Sequence, residues 1–313
     1  MRKARGVFGL CAALGVAGLT VALAATVVAL TRVDFALPTL TELVSACERW
    51  AFPHGGLASW VVLALGSVGV AVLALTLRSA LRQVRDGQRF ERQLRVVGRL
   101  PVDARVRIVD DASPQAFCAG LVRPSIYLSA GALELLSAGE REAVLTHEAH
   151  HARRRDPLRL LLARALGDGI FFLLAVGRLA RRYAALAELA ADEAAARDMR
   201  GTRALASALL AFDAHPHPAV VGIAPERVDR LLGEGSSWEL PLMLLAGATA
   251  TLSALGAVTV RLLQATDHAS IMLPALLAQL CMVAMAIVPM LAGAGGLLGG
   301  RRLLRRSVED AVT

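Results

Sequence analysis

The run His147-Glu148-Ala149-His150-His151 carries the most specific chemistry in the 313-residue sequence. Residues four apart share a helix face, so the His147 and His151 imidazoles can both reach one ion. Glu148 points to the adjacent side, where a carboxylate can take a proton from an activated water. Helix formers lead in, Glu140-Arg141-Glu142-Ala143-Val144-Leu145, as that geometry needs. A catalytic zinc uses three protein ligands and keeps one position open. Glu188-Leu189-Ala190-Ala191-Asp192 offers the best third ligand. Its two carboxylates lie four residues apart, so Glu188 can bind metal while Asp192 accepts a hydrogen bond from a liganding histidine. Glu193 and Glu134 fit worse by register and position. A solvated acidic patch is the ordinary explanation of such a pair, and the histidine pair upstream argues against it.

Elements must hold these groups together. Residues 131–155 and 177–200 are rich in Ala, Leu, Glu and Arg and predict helices. Residues 105–109 and 126–128 predict short strands. Leu158–Val176 is apolar enough to suggest a membrane crossing, but it contains Arg159, Arg164 and Asp168. A full crossing would put His147 and His151 on one side of the bilayer and Glu188 on the other. The segment is therefore expected to be a buried helix, an interfacial helix, or a hairpin returning to the same side.

Composition places the chain in a membrane. Hydrophobic residues make up 56% and charged residues 19%, with a mean hydropathy of +0.55, far from a soluble balance and from disorder. Gly6–Thr31, Leu57–Leu77, Leu240–Val260 and Ile271–Gly300 carry no charge, and each suffices for a helix crossing of about 20 residues. The first resembles a signal peptide at Ala22-Leu23-Ala24 but is too long for one, so it is expected to remain as a span. All of the 34 basic residues except Arg32, Arg49 and Arg261 fall on one side of this layout. The positive-inside rule makes that side the cytoplasm, holding both termini and the histidine run. Trp50, Trp60 and Trp238 fall near the expected interfaces. The net charge of +8 then reports topology more than nucleic acid. Aromatics are only 4%, and neither a helix-turn-helix nor an aromatic–basic platform is visible, so direct nucleic-acid binding is not expected.

Other residues invite functional readings. Arg78, Arg82, Arg85, Arg89, Arg92, Arg95 and Arg99 recur at helical spacing, which suits either anionic lipid headgroups or a solvated face. Gly87 is a candidate interruption of that helix. His150 lies off the ligand face. His215-Pro216-His217-Pro218 reads as a rigid loop, Tyr183 as core, and Gly293–Gly300 as close helix packing. Cys118 has no paired base that would make it a nucleophile. The four cysteines are too scattered for a disulfide framework or a cysteine zinc site.

From about Val106 to Arg197 the sequence resembles the membrane-embedded zinc metallopeptidases that include HtpX, the CAAX prenyl proteases and the BlaR/MecR-type antirepressor peptidases. The shared features are the His-Glu-x-x-His helix, the downstream Glu-x-x-x-Asp helix and an upstream Ala116-Phe117-Cys118-Ala119-Gly120 segment. His151 to Leu158 is most similar to the BlaR/MecR type. The resemblance implies His147, His151 and Glu188 as ligands of one zinc per chain, Glu148 as general base, Asp192 behind a ligand, and Ala116–Gly120 as a substrate-binding edge strand. It covers less than a third of the chain. The antirepressor sensors carry a penicillin-binding domain after their last span; here only Arg301–Thr313 follow the last apolar run, so β-lactam sensing is not expected.

The expected fold is a multi-pass α-helical membrane protein with a cytoplasmic α+β zincin-like metallopeptidase domain. Two spans occupy 1–77, the peptidase domain 78–239, and two further spans with a short basic tail 240–313. The expected function is zinc-assisted hydrolysis of a cytoplasmic or membrane protein, a transcriptional repressor by resemblance. HtpX-like quality control and a non-proteolytic zinc-containing sensor or scaffold are the alternatives. A homo-oligomer is compatible with the sequence.

Overall fold

The computed structural model describes residues 2–32, 57–100, 103–214 and 242–265. The N-terminal helix α1 covers Arg2–Arg32 and α2 covers Leu57–Gln93. Gly87 does not interrupt α2, whose glycine side faces open space. Strands β1 (Val96–Leu100), β2 (Asp103–Val109), β3 (Ala116–Ala119) and β4 (Ser125–Ser129) follow. Helices α3 (Ala130–Leu135), α4 (Ala138–Arg154), α5 (Asp156–Gly169), α6 (Leu174–Asp198), α7 (Arg203–Asp213) and α8 (Leu242–Ala265) complete the described elements. Among the described residues three helices, α1, α2 and α8, are long and apolar enough to cross a membrane. The fourth apolar run, 271–300, lies outside the described residues, as do His215–Pro218, Cys47 and Cys281. The expected boundary at residue 77 falls inside the unbroken α2.

The chain forms two units, Met1–Ala24 with Val68–Val258, and Ala25–Ser67 with Thr259–Thr313. In the second, α1 and α2 approach closely at Gly66, where a β-carbon would collide with the Ala29 methyl. Small residues permit such contact. The first unit holds the sheet and the histidine run.

The sheet order is β1-β2-β4-β3. β2 and β4 are parallel, with Val106 opposite Ile126 and Ile108 opposite Leu128. β3 runs antiparallel to β4 at the sheet's edge. Val106, Ile126 and Leu128 point to one face and pack against Val144 of α4 and Ala208 of α7. On the other face Phe117 stacks on Tyr127, with centroids 5.2 Å apart, and Phe90 of α2 covers Phe117 at 5.2 Å. Arg107 donates to the Tyr127 hydroxyl at 3.1 Å. Period-two alternation thus gives the sheet an aliphatic side for the helices and an aromatic side for α2.

The predicted helix 131–155 is interrupted at Leu136 and Ser137. Ser137 caps α4 in a capping box with Glu140, and Ser207 of α7 also donates to Glu140. These bonds hold the Glu140 carboxyl below its usual range. Removing the cap leaves amide donors unsatisfied, so Ser137→Ala is expected to destabilise the fold by about 1 kcal/mol, measured by chemical denaturation. The carboxylate's part in this is complete above pH ~4.3 and weakens as acid protonates Glu140.

The segment Leu158–Val176 is a hairpin. α5 ends at Gly169, Ile170–Leu173 turn the chain, and α6 returns. Gly167 and Gly177 let the two helices touch: a β-carbon at Gly167 would stand 3.2 Å from the Gly177 Cα. The hairpin's core side, Leu166, Ile170, Leu173, Val176 and Leu179, packs with Cys11 and Leu14 of α1, Val72 of α2 and Leu252 of α8.

Candidate metal centre

The return of α6 along α5 brings Glu188 back to the histidines of α4. His147, His151 and Glu188 each offer one ligand atom, and these atoms lie within 4.8 Å of one another, a spacing that can hold a metal ion. His147 and His151 are buried and Glu188 is partly exposed, leaving a side open to solvent. The two Nε2 atoms are 3.2 Å apart, and each is 3.5 Å from a Glu188 carboxylate oxygen.

Both Nδ1 atoms face other carboxylates. Asp192 Oδ1 lies 3.0 Å from His147 Nδ1, and Asp156 Oδ2 lies 2.9 Å from His151 Nδ1. The hydrogen bond to Asp156 assigns the His151 ring proton to Nδ1, and the Asp192 carboxylate beside His147 Nδ1 favours the same tautomer there. Both Nε2 lone pairs then converge with the Glu188 oxygens on one space, and acceptors crowded together require a positive charge between them. The residues fit a metal on this ground. Burial opposes protonation of His147, but hydrogen bonds to Asp192 and Glu188, with the Glu148 charge, push its pKa up to about 10.

Asp156 is the functional residue that sequence reasoning missed. Arg155 ends α4 in a left-handed conformation (φ 53°) and starts α5, a backbone region costly for a side chain. That sharp turn folds the first residue of α5 back under His151. Asp156 is 1% exposed and also accepts a bond from the Tyr183 hydroxyl at 2.9 Å. Burial disfavours its charge, yet the bonds from His151 and Tyr183, with Arg154 nearby, hold its carboxyl below the usual range. Tyr183 is core, as its apolar surroundings predict, and it also supports a histidine through Asp156. Its ring sits 5.0 Å from Phe8 of α1. The available signal was the Asp-Pro at a helix start, five residues past His151.

Glu148 is buried beside the pair. Its negative charge acts on His147 and also on the thiol of Cys118 in β3. Burial first, then Glu148 and Asp156, push that thiol up to about 12, so Cys118 stays protonated and is no nucleophile. α4 packs across β3, placing the edge strand next to the histidine helix. Past β3, Gly120 adopts φ +104°, and a β-carbon there would meet the Arg123 carbonyl at 3.0 Å; glycine alone suits this turn. His150 is buried and outside the ligand set. Burial, then Arg154, lowers its pKa to about 4.

A model of the BlaR1 peptidase M56 family matches residues 57–226. The chain belongs to this family. The match takes in α2, the sheet and every residue of the metal centre, so membership in a metallopeptidase family coincides with a metal-competent cluster. The chain is also similar to a protease HtpX homolog of Ligilactobacillus salivarius (strain UCC118), 37% identical over 84 residues. A second, from Pediococcus pentosaceus (strain ATCC 25745 / CCUG 21536 / LMG 10740 / 183-1w), is 36% identical over 84 residues. Each alignment covers 26% of this chain and 28% of the relative. Membership in the BlaR1 peptidase M56 family and partial likeness to HtpX homologs thus accompany helices long and apolar enough to cross a membrane.

Proposed function

We propose that the chain is an integral-membrane zinc endopeptidase acting on a cytoplasmic protein or the cytoplasmic part of a membrane protein. The observation that carries this is the convergence of His147 Nε2, His151 Nε2 and Glu188 on one point, with a carboxylate behind each imidazole. Two imidazoles and one carboxylate, with a side left open, form a donor set suited to catalytic zinc. When bound, zinc supplies Lewis-acid polarisation of the scissile carbonyl and acidifies water.

The chain's own residues do the rest. Asp192 and Asp156 fix the imidazole tautomers and orient the rings. Glu148 takes the proton of the attacking water, whose oxygen bonds to the carbonyl carbon. The C–N bond then breaks, and Glu148 delivers the proton to the leaving amine. Ala116–Ala119, with Gly120 after it, takes the extended substrate by strand addition, because β3 is an edge strand beside the histidine helix. The domain layout is two spans in 1–77, the peptidase in 78–239, and further spans in 240–313, with the termini and metal centre in the cytoplasm by the charge asymmetry.

Family membership favours a role in signal transduction through cleavage of a transcriptional repressor. The likeness to protease HtpX homologs is consistent with a second role, the membrane-protein quality control that the sequence resemblance implies. The purified chain is expected to carry about one zinc, to lose activity to a chelator and to regain it with added zinc. Substrates trapped by a Glu148→Ala chain, with cleavage ends read by mass spectrometry, separate the two roles. A metal-free chain whose proteolysis ignores chelators would contradict the assignment.

A further inference from the structure

The tip of the α5–α6 hairpin has no place in the chemistry above. From Gly169 to Gly177 the sequence Gly-Ile-Phe-Phe-Leu-Leu-Ala-Val-Gly is uncharged. Ile170 and Leu173 turn inward to the core, while Phe171 is 53% and Leu174 65% exposed. Large apolar groups held out by a tight turn need an environment.

Two sets of contacts locate that turn along the helices beside it. On α2, Asp168 accepts a hydrogen bond from Ser79 at 2.6 Å, and Gly169 lies against Thr76. One step along the hairpin therefore moves from just past Arg78 into the uncharged run that ends at Leu77. That run, Leu57–Leu77, covers roughly 30 Å at about 1.5 Å per residue, the thickness of a bilayer's hydrocarbon. On α1, Leu166 contacts Gly15 and Ile170 contacts Gly18, so the hairpin again advances inward from the charged N-terminus. The last carboxylate, Asp168, accepts the Ser79 hydrogen bond at the boundary, and only uncharged residues go further.

We propose that Ile170–Leu174 is a wedge inserted into the lipid acyl chains, with Phe171 and Leu174 as its lipid contacts. The inference rests on α1 and α2 being membrane spans and goes beyond the peptidase assignment. It also says where substrates are met. Glu188 is 14 residues beyond Leu174 on α6, roughly 20 Å along the helix. The wedge thus presents the metal centre next to the membrane surface, where it reaches peptide segments close to the bilayer.

The test uses the full chain in lipid nanodiscs, with Cys11, Cys47, Cys118 and Cys281 replaced by alanine. A fluorescent label is placed at Phe171→Cys or Leu174→Cys, at Gly139→Cys on the exposed start of α4, and at Leu23→Cys on the exposed side of α1. Labels at 171 and 174 are expected to lose about half their emission to lipids with a nitroxide near the headgroup and to ignore aqueous iodide. The label at 139 should show the reverse. Iodide quenching at 171 and 174 equal to that at 139 would overturn the wedge. Protection from both quenchers would also overturn it, showing that protein covers the tip. Lipid quenching at Leu23→Cys distinguishes these failures from a failure of the span assignment, in which that label too would ignore the nitroxide.

Discussion

Replacing Glu148 by glutamine is expected to leave about one zinc per chain and to slow peptide cleavage by ~10²–10⁴-fold. Glutamine keeps the volume and polarity of a buried side chain beside His147 but cannot accept the proton of the attacking water. The ligand atoms of His147, His151 and Glu188 are untouched, so metal content and thermal stability should match those of the unaltered chain. Metal analysis with single-turnover cleavage checks both halves. Turnover unchanged in a zinc-loaded Glu148→Gln chain would mean that the zinc serves structure and that the protein is a sensor or scaffold. Loss of zinc together with activity would show that Glu148 holds the site together and does not act as the base.

Asp156→Asn is expected to weaken zinc binding by ~10–100-fold, the usual cost of losing a carboxylate behind a metal-binding histidine. The carboxylate accepts from both His151 and Tyr183 while almost wholly buried. An amide keeps the shape but forfeits the charge that favours the positive site and can turn a donor toward a donor. Competition with a chelator of known affinity reads the change directly. Tyr183→Phe removes one of the two donors and leaves the charge, so its effect should be smaller, a few-fold at most. An Asp156→Asn chain with unaltered zinc affinity would show that Asp156 serves packing alone.

The centre was legible where one helix carries the whole signal. His147, Glu148 and His151 follow from four-residue spacing, and Glu188 with Asp192 from the same rule on a second helix. The sequence also forces the two helices together, because Glu188 cannot share an ion with the histidines if Leu158–Val176 crosses the bilayer. It does not say which of three arrangements achieves this. The hairpin depends on the close approach of Gly167 and Gly177 and on a turn at Ile170–Leu173, which are tertiary contacts without a local signature. Asp156 stayed hidden for a similar reason. Its position under His151 is set by a left-handed Arg155, and nothing in an arginine announces that conformation. Strands β2 and β4 were found at their β-branched centres and β3 through the resemblance, but β1 was missed because Arg99 continues the helical spacing of the arginines. The cap at Ser137, which splits the expected 131–155 helix, lay inside a run of good helix formers. The arginine stripe is helical only from Arg78 to Arg92: α2 ends at Gln93, Arg95 lies in the connection and Arg99 falls in β1, so the expected face does not extend to its last two members. Its helix is continuous with the second apolar run, however, so at about 1.5 Å per residue its later turns lie beyond the headgroups reached by Arg78.

The ligands come from two helices separated by a hairpin, with His151 and Glu188 37 residues apart in sequence. An ion held by both is therefore a removable cross-link that closes a loop containing all of α5 and half of α6. The ion binds only the folded arrangement, in which that loop is already closed, so its binding adds to stability as well as to chemistry. Stripping the ion should loosen the junction of α4 with α6 before it disturbs the aromatic face of the sheet, where Phe90, Phe117 and Tyr127 pack without the residues of the metal centre. Removing the metal is therefore expected to lower the melting temperature of the chain as well as any activity at the site.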